Sequence, residues 1–159
     1  MSIKDIVTDI VRDPRFPEGG AWRRVCFEPG MHIVKKGDEG RTLFLIETGV
    51  VRVLGDTDVD GGKKISPGLC DLEAGDVFGD LCLFGWHQRT ASVAAVSAVS
   101  LIELDGERLG VYFDDHPVQG YLFLKALFEI ISNRLRMAND RIEHLLAWGL
   151  KVHEIDKFL

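Results

Sequence analysis

Hydrophobic residues in the middle of the chain fall in short runs that turns interrupt. Glycine-bearing turns at 28–30, 37–40 and 74–76 separate many of these runs. Short, closely spaced runs without intervening helices favour an antiparallel roll or sandwich over a parallel α/β sheet. The stretch 55–68 has turn-forming residues and no apolar period, which predicts an exposed hairpin connection. The predicted strands are Val25–Phe27, Ile33–Val34, Leu43–Ile46, Val50–Leu54, Leu69–Leu72, Val77–Phe78, Ser92–Val99 and Leu101–Leu104.

Helical periodicity replaces this pattern at both ends of the chain. The first dozen residues carry apolar side chains at helical spacing, and Pro14 ends that segment. Residues 106–116 predict a short helix that Pro117 ends, and a long helix is predicted over 118–148. The expected fold is therefore mainly β: an antiparallel, jelly-roll-like β-roll flanked by an N-terminal helix and a long C-terminal helix.

The predicted long helix carries one continuous apolar seam. At the usual helical rise it is about 46 Å long, more than one roll can cover. Packing on the roll accounts for the first half, but the polar second half is better explained by pairing with a second copy. The sequence thus favours a homodimer. The seam residues alternate in steps of three and four: Tyr121, Leu124, Phe128, Ile131, Leu135, Ala138, Ile142 and Leu145.

Composition narrows the class of protein. Hydrophobic residues make up 46% of the 159 residues and charged residues 28%, which is typical of soluble globular domains. No apolar run is long enough to cross a bilayer, so we expect a cytoplasmic protein without membrane contact. The net charge of −6 disfavours direct nucleic-acid binding. The three cysteines match no disulfide or metal pattern and are predicted to be buried.

The strongest local signal is the segment FGDLCLFGWHQRTASV, residues 78–93. Gly79 allows backbone amides to approach a ligand, and a short helical turn at 80–83 would present its N-terminal N–H groups. Arg89 can add a bidentate guanidinium fork. Together these features predict an anion-binding cradle.

This segment resembles the phosphate-binding cassette of cyclic-nucleotide-binding domains, which has the pattern FGE(L/I)AL followed by (R)(T/S/A)A(T/S)V. Two upstream segments, KKGDEGRTLFLIETGVVRV and LEAGDVFG, are also similar to family motifs, and so is the spacing from Arg89 to Pro117. The resemblance covers about residues 26–146. The family includes catabolite activator regulators, regulatory subunits of cyclic-nucleotide-dependent kinases, and cyclic-nucleotide-gated channels.

The resemblance implies a set of ligand-binding residues. Arg89 would neutralise the cyclic phosphate of cAMP or cGMP, assisted by Thr90 and the amides after Gly79. Asp80 replaces the family glutamate that binds the ribose 2′-hydroxyl, and its shorter side chain would weaken that contact. Arg134 of the last helix is the best candidate to cover the purine, and Trp86 and His87 could stack on the base. The implied ligand-binding residues are Phe78, Gly79, Asp80, Leu81, Cys82, Arg89, Thr90, Ala91 and Arg134.

Three functional hypotheses remain at this point. The leading one is a cyclic-nucleotide sensor or regulatory module that signals through its C-terminal helix and dimerisation. The alternative is a dimeric interaction or scaffold protein whose degenerate roll no longer binds nucleotide. A related sensor of another effector such as haem would need an axial His or Cys, and the sequence marks none.

The predicted segments are an N-terminal helix and lead-in at 1–20, the nucleotide-binding roll at 21–117, and a lid and dimerisation helix at 118–159. We expect no enzymatic activity, because no paired carboxylates, activated nucleophile or metal-ligand spacing stands out. No cofactor is expected besides the nucleotide ligand. The residues after Gly149 are too few for a helix-turn-helix, which disfavours direct DNA regulation, whereas a downstream protein partner remains possible.

Overall fold

The computed structural model describes residues 1–59, 61–85 and 87–153. The chain forms two compact units, Met1–Phe123 and a second that begins at Leu124. Part of the predicted hairpin connection, at Asp60, and the end of the predicted C-terminal segment, 154–159, lie outside the described residues.

Two four-stranded antiparallel sheets form the first unit. The first sheet has the order β1 (Trp22–Phe27), β10 (Val99–Asp105), β3 (Thr42–Thr48) and β8 (Val77–Phe78). The second has the order β2 (His32–Val34), β9 (Ser92–Ala95), β4 (Val50–Leu54) and β7 (Gly68–Glu73). A separate hairpin, β5 (Thr57–Val59) with β6 (Lys63–Ile65), lies within the predicted 55–68 connection. The predicted β-roll is confirmed, although the segment predicted as one strand over 92–99 divides between β9 and the start of β10.

One apolar core lies between the two sheets. Alternation along each strand turns every second side chain inward, so both sheets contribute to it. The first sheet contributes Phe44, Ile46, Phe78, Val99 and Leu101, and the second contributes Val51, Val93 and Ala95.

Three α-helices flank the strands in chain order. The helix α1 (Ile3–Arg12) begins at a capping box in which the Ser2 hydroxyl accepts from the Asp5 amide and the Asp5 carboxylate accepts from the Ser2 amide. The helix α2 (Gly106–Asp115) is capped at its N-terminus by Asp105, whose side chain accepts from the Arg108 amide. The helix α3 (Pro117–Val152) follows directly. The helices predicted at both ends are therefore confirmed.

The prediction for the cysteines was wrong for two of the three. Cys82 is buried, but Cys26 on β1 and Cys70 on β7 are exposed. Cys26 alternates with the partly buried Val25 and Phe27 and so lies on the solvated face of β1. Cys70 lies on β7, an edge strand in which every residue except Leu72 is exposed.

Candidate functional site

The cassette begins where β8 ends at a glycine that no other residue can readily replace. Gly79 has φ of 81°, in the left-handed region. A Cβ atom built there would lie 2.6 Å from the Thr42 carbonyl oxygen and 2.8 Å from Arg89 Nη1. Backbone conformation and close approach both require glycine here.

A single turn of 3₁₀ helix, Asp80–Cys82, follows Gly79. The amides of Cys82 and Leu83 donate to the carbonyls of Gly79 and Asp80, each at 3.2 Å. The Cys82 side chain is buried, and its Sγ donates to the Gln88 carbonyl at 3.2 Å. This contact ties the start of the cassette to the residue before Arg89.

The backbone around Arg89 is fixed by the turn that precedes β3. The Arg89 amide donates to the Asp38 carbonyl, and the Arg89 carbonyl accepts from the Gly37 amide, both at 2.8 Å. The Gly40 amide donates to the His87 carbonyl at 2.8 Å. The motifs at 35–53 and 78–93, far apart in sequence, therefore form one structure.

The side chain of Arg89 points into the protein. It is only 6% exposed and is the one charged or polar residue among the buried side chains of the described chain. Nη1 donates to the Thr42 carbonyl at 2.9 Å, and Nη2 donates to Thr42 Oγ1 at 2.8 Å. The guanidinium carbon lies 5.5 Å from the centre of the Phe44 ring, which stacks on Phe78 with ring centres 4.8 Å apart.

Arg89 has no carboxylate partner among the residues that the structure describes. The ion pairs in this part of the chain join other arginines to acids, with separations of 2.6–2.7 Å. The ordinary alternative, a surface arginine paired with a neighbouring acid, therefore does not apply to Arg89. A buried cation held only by neutral oxygens creates a local positive potential that an anion would satisfy.

The remaining predicted site residues divide into two groups. Phe78 and Cys82 are buried, Gly79, Asp80 and Ala91 are partly buried, and Leu81 and Thr90 are exposed, all within the cassette. Arg134 lies on α3 in the second unit, so its role over the purine stays a prediction. Trp86 lies outside the described residues.

Sequence reasoning did not single out Thr42, Gly40 or Phe44, although all three adjoin Arg89. A Cβ on Gly40 would collide with the Arg89 guanidinium, so this glycine leaves the space that the side chain fills. The available signal was Thr42, a hydroxyl residue at the start of an otherwise apolar run. His87 is a further candidate, because its Nδ1 is buried without a hydrogen-bond partner in the described part of the chain.

The start of α2 adjoins the same strand end. The Gly106 amide donates to the Arg41 carbonyl at 2.8 Å, one residue before Thr42. Arg41 thus contacts the first residue of α2, and the next residue, Thr42 at the start of β3, contacts the cassette arginine.

Two structural features are absent from the described residues. No group of three His, Cys, Asp or Glu side chains there could hold a metal ion. None of the described helices has a stretch that is long and apolar enough for a membrane span.

Comparison with known proteins agrees with this geometry. The family model "Cyclic nucleotide-binding domain" matches residues 24–116. The cyclic nucleotide-gated channel beta-1 of Bos taurus is 34% identical over 114 residues, which cover 70% of this chain and 8% of the channel. The chain therefore spans a small fraction of the length of that relative.

Solved structures have the same fold. The catabolite activator protein of Thermus thermophilus is 26% identical with a TM-score of 0.61, covering 84% of this chain and 63% of that one. A cyclic nucleotide-binding domain from Methylobacillus flagellatus KT is 23% identical with a TM-score of 0.69, covering 88% and 80%. The latter likeness concerns the fold alone. The family is regulatory rather than catalytic, and its domains bind cAMP or cGMP. With its two-sheet roll, its cassette glycine and its buried arginine, this chain belongs to the cyclic nucleotide-binding domain family.

Proposed function

We propose that this chain binds cAMP or cGMP in the cassette and acts as a sensor module that signals through its C-terminal helix. The observation that carries the proposal is the buried guanidinium of Arg89, which has only neutral partners among the described residues. A cyclic phosphate bears one negative charge and would supply the missing counter-ion in a bidentate geometry. The relatives support the choice of ligand, since cyclic nucleotides gate the matched channel by name.

The other cassette residues would assist Arg89. Thr90 and the amides after Gly79 would bind the phosphate, and Asp80 would accept from the ribose 2′-hydroxyl. Arg134 would cover the purine when the C-terminal helix closes. The working segments would be the lead-in at 1–20, the roll at 21–117 and the lid and dimerisation helix at 118–159.

The hydrogen bond between Gly106 and Arg41 supports a route for the signal. A phosphate that draws Arg89 away from Thr42 would alter the start of β3, and the preceding residue, Arg41, accepts from the first residue of α2. The helix α3 follows α2 after one residue, His116. A ligand shifts such an equilibrium only by its difference in affinity for the two states, so a few kcal/mol of preference is required.

Exposure along the seam of α3 supports homodimerisation. Leu135, Ile142 and Leu145 are 60%, 54% and 67% exposed in the single chain. Apolar side chains at heptad spacing lose contact with water when two such helices pair. The partner would be a second copy of this chain, in the cytoplasm.

Titration calorimetry with cAMP and cGMP tests the ligand. We expect binding at about micromolar affinity or tighter, which Arg89→Ala abolishes. The matched control is Arg52→Ala, which removes an exposed arginine of the same roll and should leave binding unchanged. Absence of heat and of thermal stabilisation at millimolar ligand would overturn the proposal and favour the dimeric scaffold.

Sedimentation equilibrium tests the dimer. Ile142→Asp places a charge on the seam and should produce monomers, whereas Ala147→Asp, on the opposite side of the heptad, should leave the dimer intact. A wild-type chain that sediments as a monomer with and without nucleotide would refute dimerisation through α3.

A further inference from the structure

Arg89 donates from both of its terminal nitrogens to a single residue, Thr42. Nη1 donates to the Thr42 carbonyl oxygen at 2.9 Å, and Nη2 donates to Thr42 Oγ1 at 2.8 Å. These two nitrogens form one of the forks with which a guanidinium can hold two oxygens of a phosphate. Relative to Arg89, the two oxygens of Thr42 therefore take the place that a phosphate bound to this fork would take.

The other sides of the guanidinium also have protein beside them. A Cβ on Gly40 would overlap Nε and would lie 2.6 Å from both Cζ and Nη2. A Cβ on Gly79 would lie 2.8 Å from Nη1, and the centre of the Phe44 ring is 5.5 Å from the guanidinium carbon. These neighbours leave Arg89 only 6% exposed. A phosphate that meets two of its nitrogens must therefore move the guanidinium, and the hydrogen bonds to Thr42 are the contacts that it loses.

The hydrogen bonds to Thr42 join a cation to neutral oxygens. A cyclic phosphate brings a full negative charge to the same nitrogens, and opposite charges attract more strongly inside a protein than in water. The phosphate can therefore replace Thr42, but part of its binding free energy compensates for the two hydrogen bonds that Arg89 gives up. A contact that is made only without nucleotide opposes nucleotide binding in this way.

We infer that Thr42 is an internal competitor for Arg89, which lowers the affinity of the cassette for its nucleotide. Without nucleotide, the hydroxyl and carbonyl oxygens of Thr42 hold the guanidinium, and the phosphate replaces them when it binds. The inference rests on the proposed binding of cAMP or cGMP in the cassette. It adds a residue that sets the affinity of that site without contacting the ligand. Only the hydroxyl belongs to the side chain, so the residue type at position 42 determines how strong the competition is.

Thr42→Val tests the competition, because it removes the hydroxyl and keeps the β-branched shape. Nη2 then lacks this acceptor in the nucleotide-free chain, whereas the nucleotide-bound chain is unaffected. We therefore expect cAMP or cGMP to bind about tenfold tighter in titration calorimetry. Thr42→Ser, which keeps the hydroxyl, should return the affinity to that of the wild-type chain. The matched control is Thr48→Val, which removes an exposed hydroxyl at the other end of β3 and should have no effect.

Two further measurements show whether Thr42 acts through Arg89. Arg89→Lys keeps the positive charge but lacks the planar fork that engages both oxygens of Thr42. In that background Thr42→Val should change the affinity by less than about twofold, because the two residues no longer interact. In NMR spectra of the nucleotide-free chain, the Arg89 guanidinium should rotate faster about its Nε–Cζ bond in Thr42→Val than in the wild-type chain.

The outcomes separate this inference from the proposed function. Nucleotide binding that requires Arg89 but is unchanged or weaker in Thr42→Val would overturn the competition and leave the proposed function intact. An equal gain of affinity in the Arg89→Lys background, or equal rotation of the guanidinium with and without the hydroxyl, would also overturn it. If neither the wild-type chain nor Thr42→Val binds cAMP or cGMP, the proposed function and this inference both fail.

Discussion

Arg89 and Arg52 belong to the same roll but have opposite surroundings. Arg52 on β4 donates from Nε and Nη2 to the two carboxylate oxygens of Asp71 on β7, at 2.7 and 2.9 Å. Both of those side chains are 47% exposed. Arg89 is almost fully buried, and in the described part of the chain its guanidinium meets only the carbonyl and hydroxyl oxygens of Thr42.

These different surroundings distinguish an exposed ion pair, Arg52 with Asp71, from a candidate anion-binding site at Arg89. A solvent-exposed pair such as Arg52 with Asp71 adds little to stability, because water already solvates both charges well. A buried cation without an anion has lost its solvation by water, and no negative charge compensates for that loss. The cassette therefore gains most from an added negative charge, and the exposed pair of Arg52 with Asp71 gains least.

A carboxylate placed next to Arg89 should remove this difference and have the largest effect on nucleotide binding. In Thr42→Asp a carboxylate replaces the hydroxyl that lies 2.8 Å from Nη2. It should form a buried ion pair and compete with the phosphate, which lowers affinity for cAMP and cGMP about 100-fold. Calorimetry measures the loss, and Thr42→Ser, which keeps the hydroxyl, is the control. Unchanged affinity in Thr42→Asp would contradict phosphate binding by Arg89.

Gly79→Ala should have the next largest effect. An alanine would have to adopt φ near 81° and place its Cβ 2.6 Å from the Thr42 carbonyl oxygen. Strain of this kind costs about 1–3 kcal/mol, so urea unfolding should show a loss of stability in that range, together with weaker nucleotide binding. Gly85→Ala in the same loop meets no atom within 4 Å and should be neutral. Equal effects of the two variants would show that the cassette backbone tolerates a Cβ at Gly79.

Asp80→Glu should strengthen nucleotide binding, whereas the variants above weaken it. The longer side chain should reach the ribose 2′-hydroxyl, and one regained charged hydrogen bond should tighten binding about tenfold. Asp80→Asn, which removes the charge at the same length, should weaken it. Identical affinities for all three chains would place the ribose elsewhere.

The smallest expected effect is the response to acid of another ion pair of the roll, Arg24 with Glu47, compared with that of Arg89. The hydrogen bonds from Arg24 lower the pKa of Glu47 below its ordinary value of 4.5, and the Ser100 hydroxyl adds to this. A lowered pKa in the folded state stabilises the fold above that ordinary value, and this stability is lost as the pH falls below it. Glu47→Gln should therefore flatten the acid dependence of unfolding measured in urea between about pH 7 and pH 3.

Arg89→Met should leave the same acid dependence unchanged, because no carboxylate within the described residues depends on Arg89. If unfolding of Arg89→Met in urea depended less on acid pH than that of the wild-type chain, the buried guanidinium would have an acidic partner.

Periodicity made much of the fold predictable. The runs ending in Phe27 and Val34 lie in strands, and the seam from Tyr121 to Leu145 lies in one helix, because local spacing alone decides which face each residue joins. The cassette motif likewise singled out Gly79 and Arg89, whose roles in ligand binding stay predictions. These signals are contained in short segments, which a sequence displays directly.

Contacts between distant segments were not predictable. Thr42 holds Arg89 from 47 residues away, and no local pattern marks that pair. Cys26 and Cys70 were expected to be buried from residue type, yet both are exposed, on strands that lie at the edges of their two sheets. Which strands lie at the edge of a sheet depends on how all of its strands pair, and a single segment does not show this.

The hydrogen bond from the Gly106 amide to the Arg41 carbonyl makes one backbone proton a reporter on the cassette. Its rate of exchange with solvent depends on how often the start of β3 separates from α2. If phosphate binding moves Thr42, that rate changes at a residue with no assigned ligand contact. Occupancy of the nucleotide site then becomes visible without a label, at the point where the roll ends and the helices begin.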